Sequence, residues 1–438
     1  MAFFAGVAKH VITPYVGIGM EGNAREEGSR GVHDDLYARA IVLRNEAGQE
    51  CAIVALDLCM LPGWVAARVR ELICAQSPLQ PEQVLVAATH THAGPITIGI
   101  FGEEPDKVYL SEVAATAAGA VLDAYRNTVP AVVGFARGCA EEPVNNRRLR
   151  TADGVLHMNW EGLDPQDVAE VLGPTDPEIA IMRVDTPEGK PLATLINYAL
   201  HPAILAGDNW LISADWPGYA IGVIEKLRGG MGLFLNGGTG NINHINYKRP
   251  EQKRGFYEAE RLGTIVGCAA MEGLLVAEQT TDEATIQCAH RTVTVEGRHV
   301  SDEQVAEARA LLAAHTGPLL EAATDGAPDA LFASELVKLA ERGAFTRDLE
   351  VQMLRIGDAA FFTFPGEVFV EYQLQVKQRN PLAHTFFVGY ANDYQGYVPT
   401  PEALEQGGYE ARPMSWSQFG PDTGQQLVDG ALGLLPAE

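Results

Sequence analysis

The chain has 438 residues, with 32 Lys and Arg against 57 Asp and Glu, a formal charge of −25 at pH 7. That balance excludes nucleic acid as a partner, because its phosphate backbone needs a positive surface to displace counterions, and it disfavours an anionic membrane surface. With 47% apolar and 20% charged residues the composition is globular, not disordered.

The N-terminal segment has no basic region, and its apolar stretch of about six residues falls short of a secretory core. No run reaches the roughly 18 apolar residues of a membrane span. The six cysteines are scattered, with no C-x-x-C pair, which reads as free thiols. These features predict a cytoplasmic protein. The even cysteine count keeps a periplasmic, disulfide-bonded protein as the alternative.

Residues 36–44 alternate apolar and polar and predict a strand. Residues 51–57 and 84–89 are short continuous apolar runs that fit buried strands. Residues 64–76 between them read as a helix, so the order predicts an α/β layer. An Ala-rich helix is predicted at 113–125. Residues 179–184 and 192–199 read as a hairpin, and 231–235 as a strand running into a glycine corner. From Ser301 the texture turns helical, to about 315, with a second helix near 334–342. Strand character returns at 350–355 and 359–364. The expectation is one α/β catalytic domain over 1–438, of mixed β-sheets with flanking helices, with a helical excursion near 300–345.

Four corners carry chemistry. The first is Thr89-His90-Thr91-His92-Ala93-Gly94-Pro95. If strand geometry continues, residues two apart face one side, so His90 and His92 suit a metal, or one ligand beside one general base. The bland alternative is two histidines hydrogen-bonded in a turn. The second is His201, which closes an apolar strand before Pro202; a capped core histidine is its alternative. The third is Glu367, after Phe364-Pro365-Gly366. A carboxylate there is costly unless exposed or paired, a metal being one partner. The fourth is the glycine corner 237–244, whose glycines allow the backbone to approach a ligand. It has neither a P-loop ending, nor a dinucleotide fingerprint, nor a nucleophile elbow.

These corners resemble, in order along nearly the whole chain, the catalytic domain of the neutral/alkaline ceramidase family. The matching segments are Val11-Ile12-Thr13-Pro14 with Gly17 and Met20, then Thr89 to Pro95, and Asn145-Asn146-Arg147. They continue with Asn197 to Pro202, Ser213 to Tyr219, Phe364 to Glu367, and Tyr397-Val398-Pro399-Thr400 with Glu402 and Tyr409. The resemblance implies a zinc amidohydrolase that cleaves the N-acyl bond of ceramide, with one Zn2+ per chain. It implies that His90, His201, Glu367 and Tyr397 hold zinc and that a metal-bound water attacks the carbonyl. His92 would be the general base, and Arg147 and Tyr409 would hold the substrate or its oxyanion. Asp57 and Asp215 are candidate carboxylates for orienting the metal-bound histidines.

Three departures matter. Asn243 and His244 stand where the family has serine and proline, which rules out a serine nucleophile at that corner. Both are candidates for contacting the substrate or supporting the metal ligands, and His244 is also a candidate metal ligand, with a plain loop histidine as its alternative. The chain stops about thirty residues after Tyr409, so the family's C-terminal β-sandwich domain is not expected. The acidic balance and the unsignalled N-terminus favour a smaller soluble amide, lactam, ester or lactone over long-chain ceramide. The expected partner is such a small molecule; membrane association is not expected, and a homo-oligomer is left open. The competing reading is a non-catalytic member that binds a ligand or metal.

Overall fold

The computed structural model describes residues 3–276, 280–319 and 326–436. Eight strands form the larger sheet. In chain order they are β1 (Phe3–Val11), β2 (Tyr37–Asn45), β3 (Glu50–Leu56), β4 (Val84–Ala88), β5 (Val129–Cys139), β6 (Glu178–Asp185), β7 (Pro191–Tyr198) and β8 (Met231–Asn236). Their spatial order is β8-β7-β6-β5-β1-β2-β3-β4. The centre is antiparallel, and the two ends, β3 with β4 and β7 with β8, are parallel pairs.

A second sheet is built from β9 (Ile286–Glu296), β10 (Thr346–Ile356), β11 (Ala359–Thr363) and β12 (His384–Val388), with β11 and β12 parallel. The helices Asp302–Ala314 and Asp329–Arg342 lie in the chain between β9 and β10, which pair antiparallel along their whole length.

The layers follow from which faces are apolar. Leu43, Ile53, Leu85, Met182 and Leu195 of the larger sheet pack on Leu354, Phe361 and Phe386 of the smaller one. The opposite face of the larger sheet buries against the helices Gly63–Cys74, Lys107–Arg126, Asp215–Arg228 and Phe256–Val276. The outer face of the smaller sheet buries against Asp329–Arg342, Val370–Arg379 and Thr423–Leu432. The result is a helix–sheet–sheet–helix stack, the mixed α/β fold expected. Among the described residues no helix is long and apolar enough to cross a membrane.

Two expectations shift. The central strand β1 was not legible as a strand, because its apolar run is short and closes on Lys9 and His10. The helix expected at 113–125 begins earlier, at Lys107. There Asp106 accepts hydrogen bonds from the Val108 and Tyr109 amides and so caps the first turn.

Candidate metal centre

Ligand sites in α/β sheets gather at the carboxyl ends of parallel strands. Here β4, β7 and β11 deliver His90, His201 and Glu367 within a few residues of their ends. Buried Asn197 ties the two sheets together beside them, donating to the carbonyls of Leu235 and Phe387 at 2.9 and 2.8 Å.

His90 and His92 converge, but not by strand alternation. Strand β4 stops at Ala88, and His90 adopts φ 70°, a left-handed conformation that is uncommon for any residue but glycine. The kink turns both rings inward. His90 Nε2 lies 3.0 Å from His201 Nε2 and 3.2 Å from His92 Nε2, and the third side of the triangle is 3.1 Å. Gly22, at φ 95°, passes directly against the His92 ring, where a Cβ would come within 2.4 Å of Cγ.

Each imidazole is fixed from behind. His90 Nδ1 meets the Cys59 carbonyl at 2.6 Å, His201 Nδ1 the Thr239 carbonyl at 3.3 Å, and His92 Nδ1 the Asn23 Oδ1 at 3.0 Å. A carbonyl only accepts, so Nδ1 of His90 and His201 must carry the proton and Nε2 a lone pair. Burial holds all three rings neutral: it lowers His90 to about 3, and lowers His92 and His201 well below 6.5. Neutral lone pairs that face one another at about 3 Å, with no proton to share, repel unless a cation lies among them.

Glu367 closes the set. Its Oε2 lies 3.7 Å from His90 Nε2 and 3.9 Å from His201 Nε2. That oxygen is buried without a hydrogen-bond partner among the described residues. Its Oε1 accepts from the Tyr394 hydroxyl at 2.6 Å. Burial raises the Glu367 carboxyl to about 7, against the opposing pull of Tyr394 and Arg147. Two imidazole lone pairs and an orphan carboxylate oxygen, within 4.8 Å of one another, are the donors that catalytic zinc prefers. The residues present therefore fit a divalent metal. The Cys59 thiol forms a second candidate donor group with His90 and His92. It lies 3.8 Å from His90 Nδ1, the nitrogen that the Cys59 carbonyl already engages, whereas His201 and Glu367 face Nε2.

One cavity gathers His90, His92, His201, Glu367, Tyr397, Arg147, Tyr409, Asn243 and His244. Arg147 is buried, with Nε on Glu410 at 2.6 Å and Nη2 on the Gly240 carbonyl at 2.7 Å. Burial alone would lower its pKa, but Tyr397 and Glu410 outweigh that and raise it. The Arg147 guanidinium carbon sits 5.5 Å from the Tyr397 ring centre and 5.8 Å from that of Tyr409.

Other expected residues fall elsewhere. Asp57 accepts from the Tyr37 amide, and Asp215 from the amides of Leu205 and Trp216, so neither carboxylate orients a site histidine by a hydrogen bond; backbone carbonyls do that for His90 and His201. Arg148 and Arg150 pair with Glu410 and Glu170. Trp216 is core, edge-on to Tyr198 and Phe234. The glycines at 237, 238 and 240 serve close packing against the segment from Glu367 to Gln373; a Cβ at Gly240 would come within 2.4 Å of the Glu367 carbonyl oxygen.

Sequence reasoning missed the supports. Arg25 is buried and donates to the carbonyls of His92 (2.9 Å), Asn23 (3.3 Å) and Ala206 (2.9 Å), so it clamps both partners of the His92–Asn23 pair. Tyr390 stacks on His90 with ring centres 4.0 Å apart. Buried Glu410 bridges Arg147 and Arg148. A buried-charge argument could have flagged Glu410 beside Tyr409; nothing local marks Arg25.

A buried three-histidine, one-carboxylate centre at the strand ends of a two-sheet α/β fold defines a candidate metalloprotein. Residues 3–232 match the family described as neutral/alkaline non-lysosomal ceramidase, N-terminal, and the chain belongs to that family. It is 24% identical to the neutral ceramidase of Pseudomonas aeruginosa in a match covering 96% of this chain and 71% of that protein. It is 26% identical to neutral ceramidase B of Dictyostelium discoideum, over 46% of this chain and 28% of that one. The matched region thus spans under a third of the Dictyostelium protein's length. A crystal structure of the Pseudomonas aeruginosa neutral ceramidase superposes with a TM-score of 0.76 at 21% identity, covering 100% of this chain and 76% of that one. At that identity the likeness concerns the fold.

Proposed function

We propose that the chain is a zinc-dependent hydrolase of an N-acyl amide bond. The observation that carries this reading is the meeting of His90 and His201 lone pairs with the orphan Oε2 of Glu367. Those three, with Tyr397 beside them, would hold the metal. When bound, zinc would polarise the scissile carbonyl and make water acidic near neutral pH.

The chain's own residues supply the rest. His92, held neutral by burial and by its cationic neighbours, takes a proton at Nε2, and Asn23 fixes the ring by Nδ1. Arg147 stays charged at the cavity wall and balances negative charge that develops on the carbonyl oxygen. Glu410 and the Gly240 carbonyl keep its fork from rotating. Tyr409 lines the cavity and positions the substrate. Asn243, in place of a serine, offers no nucleophile.

The substrate we propose is a compact amide, with a lactam, ester or short ceramide analogue as chemical neighbours. The charge of −25 supports a substrate met in water rather than at an anionic bilayer, and with it a cytoplasmic site of action. The test is release of the acid product from such amides by the zinc-supplemented protein. Hydrolysis that a chelator abolishes and zinc restores supports the reading. Hydrolysis unaffected by chelation contradicts it.

A further inference from the structure

Among the polar side chains of the cavity wall that the mechanism above does not use is His244. His244 lines the cavity and is 3% exposed, and neither of its ring nitrogens has a hydrogen-bond partner among the described residues. Its backbone is well anchored. The His244 carbonyl accepts from Gln252 Nε2 at 3.0 Å and from Asn145 Nδ2 at 3.4 Å. The residue before it is locked as well. Asn243 and Asn159 exchange a reciprocal pair of amide hydrogen bonds at 2.7 and 2.8 Å, and Asn243 Oδ1 also accepts the Ile245 amide at 3.0 Å. The polar capacity of Asn243 is therefore spent on holding the loop, while that of His244 is not spent at all.

Burying an imidazole with both nitrogens unpaired is unfavourable, since a buried polar group without a partner bears its full desolvation cost. Such a group persists in a binding wall where the ligand supplies the partner. Burial lowers the His244 pKa to about 3, so near neutrality the ring is uncharged. A neutral imidazole offers one donor and one acceptor. The matching ligand group both accepts and donates: a hydroxyl or a carboxamide, rather than a hydrocarbon or a cation.

We propose that His244 is a substrate-recognition residue that selects amides bearing a hydroxyl or carboxamide substituent. The proposal rests on the cavity being the hydrolase site, and it names the substrate class of that site. Asn243 acts as the clasp that presents the ring.

The test uses the full-length, zinc-supplemented protein and two probes of the same shape, N-acetylethanolamine and N-propylacetamide, which differ by hydroxyl against methyl. Binding is followed on the imidazole signals of histidine-labelled protein, with His244→Phe assigning the resonance. Wild type is expected to bind the hydroxyl probe about tenfold more tightly or better, with the His244 signal shifting. His244→Phe should remove the preference while keeping zinc content and a melting temperature equal to or above that of wild type, because a purely structural histidine would lower it. Equal binding of both probes, failure of both to bind, or a preference that survives in His244→Phe overturns the proposal. Acid release from the same probes is read separately. A binding preference without hydrolysis contradicts the hydrolase reading and keeps the recognition role, whereas hydrolysis without a preference does the reverse.

Discussion

His90 Nε2 faces His201 Nε2 across 3.0 Å, and behind each ring Nδ1 meets a backbone carbonyl. The carbonyls come from Cys59 and Thr239, in loops that follow different strands. The fold has therefore fixed both tautomers before any metal arrives, so binding does not have to pay for reorienting the rings.

His92 completes the triangle, and its role is separable by mutation. His92→Ala should retain zinc and lower kcat by about 10²–10⁴-fold, the range of a lost general base. Metal analysis beside turnover checks this. Loss of zinc in this variant would make His92 a ligand instead.

Tyr394 holds Glu367 by a 2.6 Å hydrogen bond to Oε1. In Tyr394→Phe the carboxylate loses its donor and its fixed orientation. Zinc affinity should fall by about 10–100-fold, the usual effect of losing an outer-shell partner, with the fold intact by circular dichroism. Competition with a chelator measures it.

Glu410 is fully buried between Arg147 and Arg148, at 2.6 and 2.9 Å. Glu410→Gln leaves two buried guanidinium groups without their counter-charge. Removing one partner of a buried ion pair costs about 3–5 kcal/mol, so the midpoint of urea unfolding should drop markedly. An unchanged midpoint would mean that the arginines find other acceptors.

Acid stability follows from His244. Its pKa is 6.5 in the unfolded chain and about 3 in the fold. Between these values the unfolded chain binds a proton that the folded chain does not, so stability falls as pH falls. This contribution is fully present above about pH 6.5 and is lost as pH falls through about 3. In metal-free protein, His244→Phe should flatten the dependence of unfolding free energy on pH by up to about one proton in that window. Denaturant titrations at stepped pH read the slope.

The corners of this site are legible in the sequence because each is short and punctuated. His92 is followed by Gly94-Pro95, His201 by Pro202, and Glu367 is preceded by Pro365-Gly366; such breaks mark where an apolar strand stops. The hairpin of β6 and β7 is legible from two apolar runs about a Gly189 turn. What holds the site is not legible. Arg25 reaches the His92 carbonyl from 67 residues away, and Glu410 reaches Arg147 from 263. Neither contact leaves a periodicity or a spacing in the chain. The left-handed turn at His90 is also silent, since a histidine in a strand-like run gives no notice of a positive φ. Asp57 and Asp215 mislead because each carboxylate is spent on backbone amides, that of Tyr37 for Asp57 and those of Leu205 and Trp216 for Asp215, which the chain order does not announce.

The most direct test of the account is the zinc content of the purified full-length protein after zinc-supplemented expression, measured beside the double variant His90→Ala with His201→Ala. The account predicts about one zinc per wild-type chain and almost none in the variant. Less than about 0.2 zinc per wild-type chain, or equal zinc in both proteins, would contradict it.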